Sequence, residues 1–380
     1  MYCWPKYFIN SVSRAAFLYT MMCRCLQLSA AEITDAELAQ LSRWDNTFNL
    51  KGWSGFRDNI LFSNKDRVES PFVATGLDML LWRLPENGWE VLVLGSGEYL
   101  RYLSAPRVQK EATAIGQLQV HKRLAKVWKL GMSAEYLYFD QVFDNSTVDR
   151  DARAVQVQAH TFTIRPSVRR EFSNRYFGEV EASLSRQDFK SIVDDEWQVA
   201  TKAALGWNLG TGSELSCGLQ ITDRQFDTRE PRDARGLLVS GKSLEFTQHE
   251  AFASWRQTWD TAQHWRTVTR LNFQRNNDND SGYYDYNRFR LSQQLRYTSS
   301  RWQVRAEAKL TYYQYDLQPV SSTDLSLRRK TIVQGTIRGE RQLIGSLKAF
   351  AEFEHERSLS NLVPDAYRAN TILAGLEWDF

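Results

Sequence analysis

The last ten residues of the chain alternate between two kinds of side chain. The apolar set comprises Ile372, Ala374, Leu376, Trp378 and Phe380. The positions between them include Glu377 and Asp379 and are mostly polar or small. Because successive side chains of a β-strand point to opposite faces, this period of two predicts a strand with one apolar and one wetter face. A strand of a soluble sandwich carries the same pattern, so this stretch alone leaves the apolar medium open.

The same alternation returns along the chain from Trp44 onward, with no helical stretch between the segments. Each segment carries the pattern over about ten residues, the length that a tilted strand needs to cross a bilayer. The count predicts sixteen strands, although the poor alternation over 153–175 and 223–258 leaves fourteen or eighteen open. The predicted strands are 46–58, 71–84, 89–102, 112–122, 127–140, 153–164, 169–185, 196–209, 214–223, 242–258, 265–275, 283–297, 302–315, 329–341, 347–357 and 367–380.

The connections between these strands alternate in length. Tight turns at 85–88, 210–213 and 298–301 contain Gly, Asn, Ser or Thr, which favour turns. Longer polar loops lie between them, at 59–70, 141–152, 223–241, 276–282 and 316–328. Short turns on one side and longer loops on the other are typical of outer-membrane barrels, in which the short turns are periplasmic.

Tryptophan is concentrated at one end of the predicted strands. The chain has 13 Trp, and most of those on strands fall beside the short turns. Amphipathic aromatic rings collect at membrane interfaces, whereas a soluble sandwich has no reason to gather them at one end. Besides Trp378, the predicted periplasmic girdle consists of Trp82, Trp89, Trp128, Trp207, Trp259, Trp265 and Trp302.

These features resemble the Gram-negative outer-membrane β-barrel superfamily. The C-terminal Trp378-Asp-Phe380, the hairpin rhythm and the tryptophan girdle carry the resemblance, which is porin-like in size and covers residues 44–380. It implies an all-β fold, a transmembrane antiparallel up-and-down β-barrel. It also implies that the last strand is an assembly signal recognised by the barrel assembly machinery. No signature of a particular porin family accompanies it.

The residues before the barrel divide into two segments. Residues 1–31 contain Lys6 and Arg14, an apolar run over 15–23 and small residues at 29–31, a pattern that predicts a secretory signal peptide. Arg24 interrupts the match. Residues 32–43 are predicted to form a short N-terminal periplasmic segment, too short for a plug domain. The protein is therefore expected to be exported through the periplasm to the bacterial outer membrane.

Composition excludes several other classes. The charged fraction of 24% and the mean hydropathy of −0.50 leave no apolar stretch of about 18 residues for a spanning helix. The first 31 residues hold three basic groups and no acids, so the remainder carries 48 − 3 = 45 basic against 45 acidic groups. A balanced chain gives no bulk electrostatic field for nucleic acid.

Few residues suggest chemistry, and we expect no metal, cofactor or enzymatic activity. Cys217 is the only cysteine outside the predicted signal peptide, and one thiol cannot build a disulfide or a zinc site. His249-Glu250 has Ala253 where a zinc protease needs its second histidine. The loop 277–282 resembles a calcium loop but lacks the closing acid. The histidines are predicted to be scattered over different strands: His121, His160, His249, His264 and His355.

Charged residues on the predicted lumen face are more informative. Basic residues gather on the strands between 283 and 341, and acidic residues on the last two strands. Closure of the barrel would place a basic wall beside an acidic wall in a wet interior, because so many charges are costly to bury without partners. The candidate selectivity residues are Arg288, Arg290, Arg296, Arg305, Lys309, Arg338, Glu352, Glu354, Glu356 and Glu377. The same charged residues are equally well explained as solvated cross-strand salt bridges with no role in selectivity.

Three functional hypotheses remain open on the sequence. The first is passive diffusion of small hydrophilic solutes, since a barrel of this size without a plug encloses an aqueous lumen. In it, the loop 223–241 is the best candidate for an inward constriction. The second is a non-conducting surface anchor, adhesin or envelope interaction protein, and the third is an outer-membrane lipid hydrolase. In each case outer-membrane lipids are expected partners, and a homotrimer is left open.

Overall fold

The computed structural model describes residues 44–125, 127–144, 154–190, 194–210, 212–321 and 323–380, without the side chains of residues 154 and 155. The predicted signal peptide, the predicted segment 32–43 and most of the predicted loop 141–152 lie outside the described residues.

Sixteen antiparallel strands form one closed barrel, as predicted. Each strand pairs with its neighbours in the chain, and the first pairs with the last. The strands are β1 (Trp44–Arg57), β2 (Ser70–Glu86), β3 (Trp89–Tyr102), β4 (Lys110–Leu124), β5 (Trp128–Asp144), β6 (Ala154–Glu171), β7 (Tyr176–Phe189), β8 (Glu196–Gly210), β9 (Ser213–Phe226), β10 (Glu245–Thr258), β11 (Trp265–Asp278), β12 (Tyr286–Thr298), β13 (Trp302–Pro319), β14 (Leu327–Ile344), β15 (Leu347–Ser360) and β16 (Tyr367–Asp379).

Helix is nearly absent from the described part of the chain. One 3₁₀ turn, Val363–Asp365, lies between β15 and β16. Within the described residues no helix is long and apolar enough to cross a membrane.

The alternation read from the sequence corresponds to an outer and an inner face. On β16, Ile372 is 59% and Leu376 is 51% exposed on the outside, whereas Glu377 is 7% exposed on the inside. An exposed apolar belt is costly in water and favourable in hydrocarbon. Closure leaves no unpaired strand edge, which is the condition for a β-structure to span a membrane. The apolar face of β16 therefore contacts lipid, and all five residues of the predicted assembly signal lie on it.

The girdle prediction is wrong for one residue. Trp89, Trp265 and Trp302 are 43–48% exposed on the outer face beside the short turns, and the other predicted girdle residues behave alike. Trp82 is only 3% exposed and packs with Leu80 and Leu92 on the lumen side. The apolar run 79–82 hides the period of two, so the sequence alone could not assign the face of Trp82.

The largest differences from the predicted strand boundaries lie between β6 and β7. Strand β6 continues through Pro166 to Glu171, and the turn to β7 lies at 172–175 rather than between 164 and 169. Pro166 pairs with Met132 on β5. The pairing of β6 with β7 skips Arg165 and Pro166, and its register is the same before and after this gap. Proline lacks an N–H, so it is tolerated where one side of the strand needs no donor. The segment 223–258 contains no break in register between β9 and β10.

The seam between β1 and β16 generates the first prediction. Phe380 donates its N–H to the carbonyl of Phe48 at 2.9 Å and accepts a hydrogen bond from the Phe48 N–H at 3.1 Å. The two rings stack at 5.9 Å. Deletion of Phe380 removes both hydrogen bonds and the ring, so we expect a lower yield of folded, heat-modifiable barrel in the outer membrane.

The variant Phe380→Leu is the matched control for this deletion, because it keeps the backbone pair and loses the aromatic ring. A yield for Phe380→Leu near that of the wild type would assign the effect to the seam, and a yield near that of the deletion would assign it to the aromatic residue. Unchanged assembly of the deletion variant would refute both roles.

Candidate functional site

The lumen wall is the candidate site, and its most ordered feature is a row of arginines. Arg266 on β11 lies opposite Arg296 on β12, which lies opposite Arg305 on β13, which lies opposite Arg338 on β14. The row ends on β15, where Glu352 is the partner of Arg338. Directly opposed like charges repel, so this arginine row needs counter-charges. It extends the predicted basic wall by one strand.

The sequence prediction missed part of this wall. Arg256 on β10, and Arg266 and Arg270 on β11, share the lumen face with the predicted basic residues. The alternation could have found the two on β11, because Arg266 and Arg270 lie out of phase with the exposed Leu271 and Phe273. The remaining predicted basic residues on the lumen face are Arg288, Arg290 and Lys309.

Arg338 joins the basic wall to the acidic wall. Its guanidinium donates to Glu340 Oε1 at 2.6 Å, Glu352 Oε2 at 3.4 Å and Glu377 Oε2 at 3.3 Å. The Arg338 guanidinium also lies 4.1 Å from the centre of the Phe350 ring. Three carboxylates around one cation leave an excess of negative charge, so the charge of the wall changes sign at β14–β15.

The acidic wall is paired as well. Glu356 accepts hydrogen bonds from Gln334 at 2.7 Å and from Tyr367 at 2.5 Å. On the basic side, the Lys309 ammonium lies 2.7 Å from Glu307. These groups and Glu354 line a polar cavity of about 40 Å³, enough space for a water molecule. The structure thus places all ten predicted lumen residues on the inner face and brings basic and acidic members together.

The interior is drier than the sequence analysis expected. Arg338, Glu352, Glu356 and Glu377 are all 7–8% exposed. Charges can be buried when each has a close partner and further hydrogen bonds, which these residues have. The expectation that the charges require a wet interior is therefore wrong for this part of the wall.

The inward constriction comes from a different hairpin than predicted. Lys330, on the inner face of β14, donates to Asp144 Oδ2 at 2.5 Å. Asp144 is the last residue of β5, on the opposite side of the barrel. Val142 joins an apolar cluster with Ile60 and Phe62 of the β1–β2 loop. The β5–β6 hairpin therefore bends across the lumen.

The loop 223–241 does not have that role. Arg229 pairs with Asp194 of the β7–β8 loop at 3.0 Å, and Arg232 donates to the Tyr284 hydroxyl at 3.2 Å. These contacts hold the loop against its neighbours around the rim. The lengths of β5 and β6, 17 and 18 residues, do not identify the inward hairpin, because β13 and β14 have 18 residues each.

A second buried ion pair lies beside the hairpin contact. Arg328 donates through Nε to Asp365 Oδ2 at 2.9 Å, and through Nη1 to Gln318 at 2.9 Å. Burial raises the pKa of the Asp365 carboxyl, and the positive charges of Arg328 and Lys330 oppose this rise. Hydrogen bonds and apolar packing thus fill this side of the long-loop half of the lumen.

No group of three metal-ligating side chains occurs in the part of the chain that the structure describes. In the loop 277–282, Asp278 accepts hydrogen bonds from the backbone N–H groups of Asp280, Gly282 and Tyr284, so the turn is held by its own side chain. Cys217 is exposed on the outer face.

The histidines do not form a catalytic group either. His160 contacts the Tyr136 hydroxyl at 2.6 Å, and His355 contacts Asn370 at 2.8 Å. His264 contacts Asp260 in a turn at 2.9 Å. His249 lies on the outer face, and His121 Nδ1 has no hydrogen-bond partner. Among the described residues, no histidine hydrogen-bonds to a serine.

The closed barrel, its apolar outer belt and its charged inner wall define a porin-like β-barrel of the bacterial outer membrane. This class follows from the chain's own architecture. No protein-family model matches the chain, and no curated protein matches it.

Similar solved structures include OccAB1, OccK9 (OpdG) and a BenF-like porin. OccAB1 of Acinetobacter baumannii is 9% identical, with 90% of this chain and 97% of that chain covered and a TM-score of 0.48. OccK9 (OpdG) of Pseudomonas aeruginosa is 9% identical, with 88% and 99% covered and a TM-score of 0.49. A BenF-like porin from Pseudomonas fluorescens Pf-5 is 9% identical, with 90% and 100% covered and a TM-score of 0.49.

The hairpin contact generates a prediction about stability. Asp144→Asn leaves the Lys330 ammonium buried without its counter-charge, which costs about 3–5 kcal/mol for a buried pair. We expect a lower unfolding temperature, and faster proteolysis of the β5–β6 hairpin in detergent. The double variant Asp144→Asn with Lys330→Met removes both charges and should recover most of the loss.

Asp188→Asn is the control for Asp144→Asn. Asp188 lies 2.8 Å from Arg186 and is 58% exposed. An exposed ion pair of this kind contributes about 0–1 kcal/mol. Equal effects of Asp188→Asn and Asp144→Asn would contradict the inward position of the hairpin.

Proposed function

We propose that this protein is an outer-membrane channel for the passive diffusion of small hydrophilic solutes. The arginine row is the observation that carries the proposal. It sets four cations on adjacent strands of the inner face. The acids of β15 and β16 adjoin this row, and a basic wall beside an acidic wall is a charge pattern that orients and selects polar solutes.

The proposed path passes beside the β5–β6 hairpin. The hairpin narrows the long-loop half, where Lys330 and Arg328 are paired and buried. Towards the short turns, Arg266, Arg296 and Arg305 are only half-buried. Solutes would therefore meet a narrow section first and a basic chamber after it. We further propose that the chain is exported through the periplasm and inserted by the barrel assembly machinery.

Current recordings in planar bilayers test whether the purified barrel conducts ions. Purified wild-type barrel should give stepwise openings, with a reversal potential in a KCl gradient that shows preference for anions. Arg296→Gln with Arg305→Gln removes two lumen cations and should shift the reversal potential towards the cation side. Arg341→Gln is the control, since Arg341 is on β14 and its guanidinium stacks on Trp302 at the outer face.

A non-conducting barrel that serves as a surface anchor, adhesin or envelope interaction protein is the second candidate. The packed contacts of the β5–β6 hairpin favour it, because they fill the long-loop half from one side. Absence of current from folded wild type, with current appearing in the Asp144→Asn variant that loosens the hairpin, would support a closed barrel. Absence of current from both would refute the channel.

A further inference from the structure

Three arginines lie on the outer face of β14–β16 beside the long loops. Arg329, Arg357 and Arg368 are all exposed, and their neighbours along the same face are the lipid-facing Val333, Phe353, Leu359 and Ile372. Among the described residues, none of the three guanidinium groups forms a salt bridge. We call Arg357 and Arg368, with Arg329 above them, the arginine patch.

The two central members of the arginine patch face each other. Arg357 on β15 and Arg368 on β16 are direct cross-strand partners. At directly opposed positions the Cβ atoms are about 5 Å apart, and like charges there destabilise the sheet. This arrangement is favourable only when an anion lies between or above the two guanidinium groups.

An acid next to β16 is already engaged. Asp58 Oδ1 accepts a hydrogen bond from the Asn370 backbone N–H at 2.6 Å, and its Oδ2 accepts one from the Asn370 side-chain amide. The Asn370 side chain in turn contacts His355 Nδ1 at 2.8 Å. This acid therefore joins β1 to β16, and no acid among the described residues forms an ion pair with the arginine patch.

Two other outward-facing arginines at this rim have acidic partners. Arg186 contacts Asp227 at 2.7 Å, and Arg275 contacts Asp316 at 2.6 Å. The Arg186 guanidinium holds the pKa of the Asp227 carboxyl below its ordinary value. Loops of the chain thus neutralise these two cations, whereas no carboxylate among the described residues forms an ion pair with the arginine patch.

The distance of the arginine patch from the periplasmic tryptophans matches the height of the apolar band, which places the patch at the lipid headgroups. Arg368 lies ten residues from Trp378 on β16, counted as 378 − 368, and Trp378 is 54% exposed at the short-turn end. At about 3.3 Å per residue and a tilt of about 40°, ten residues span about 25 Å, the height of the apolar band of outer-membrane barrels. With Trp378 at the periplasmic interface, Arg357 and Arg368 lie at the level of the outer-leaflet headgroups.

We propose that the arginine patch binds the phosphate groups of lipopolysaccharide, the phosphorylated glycolipid of the outer leaflet. Guanidinium groups form paired, charge-assisted hydrogen bonds with phosphate oxygens. A phosphate between Arg357 and Arg368 converts their repulsion into a shared attraction, and Arg329 lies above them towards the sugar region. The site depends on the outer-membrane location and is independent of conduction through the lumen.

Titration of the purified full-length barrel with diphosphorylated lipid A in neutral detergent tests the site. The double variant Arg357→Gln with Arg368→Gln should bind lipid A about tenfold more weakly or worse, the loss of a charge-assisted hydrogen bond. Arg341→Gln removes an outward arginine from the opposite end of β14 and should bind as the wild type does. Equal binding by the double variant and the wild type would overturn the proposal.

Unfolding temperatures measured without and with lipid A distinguish ligand binding from a purely structural role of Arg368. Without lipid A, Arg368→Gln should unfold at the same temperature as the wild type or a higher one, because the repulsion is gone. With lipid A, the wild type should gain stability and the variant should not. A variant destabilised equally in both conditions would overturn the proposal.

Two further probes identify the source of the phosphate. Inorganic phosphate at matched concentration, and vesicles of phosphatidylglycerol, should stabilise the wild type less than lipid A does. Equal stabilisation by inorganic phosphate would show a site for the free ion, and equal stabilisation by phosphatidylglycerol would show a general anionic-lipid surface. Either result would overturn the assignment to lipopolysaccharide.

Discussion

The structure depends on closure of the backbone hydrogen-bond ladder between β1 and β16. In hydrocarbon an unpaired N–H or C=O costs several kcal/mol, and an open sheet would expose a full edge of them. The register from Asn49 opposite Asp379 to Arg57 opposite Thr371 removes that edge. The C-terminal strand is therefore the closing element of the barrel, and its apolar residues face lipid because closure fixes which face is outside.

Closure also brings many charged side chains close together in the lumen. Inward side chains of sixteen strands converge on one enclosed space, and many of them are charged. The protein pairs most of these charges across strands, with Arg338 between three carboxylates as the clearest instance. In the arginine row and in the outer arginine patch, like charges lie directly opposite one another. Both are candidate sites of contact with anions.

The predictions from the sequence that were wrong or incomplete have physical causes. Trp82 lies in a run of apolar residues, where a period of two cannot be read, so its face was assigned from its position alone. Pro166 suggested the end of a strand, yet β6 continues because the neighbouring β5 supplies the pairing that holds it. The lumen residues were found by alternation, but their partners lie on other strands. Register decides those contacts, and a single sequence does not contain it.

The sequence by itself determined the outer apolar face, most of the tryptophan belt and the inward position of the charged residues, and it predicted sixteen strands while leaving fourteen or eighteen open. Each of these follows from local alternation, because a strand has a period of two whatever its neighbours are. Only the tertiary structure decided that the β5–β6 hairpin reaches Lys330, that four arginines align in one row, and that Arg357 faces Arg368. The hairpin contact joins residues far apart in the chain, and the two arginine alignments depend on cross-strand register, which local alternation does not specify.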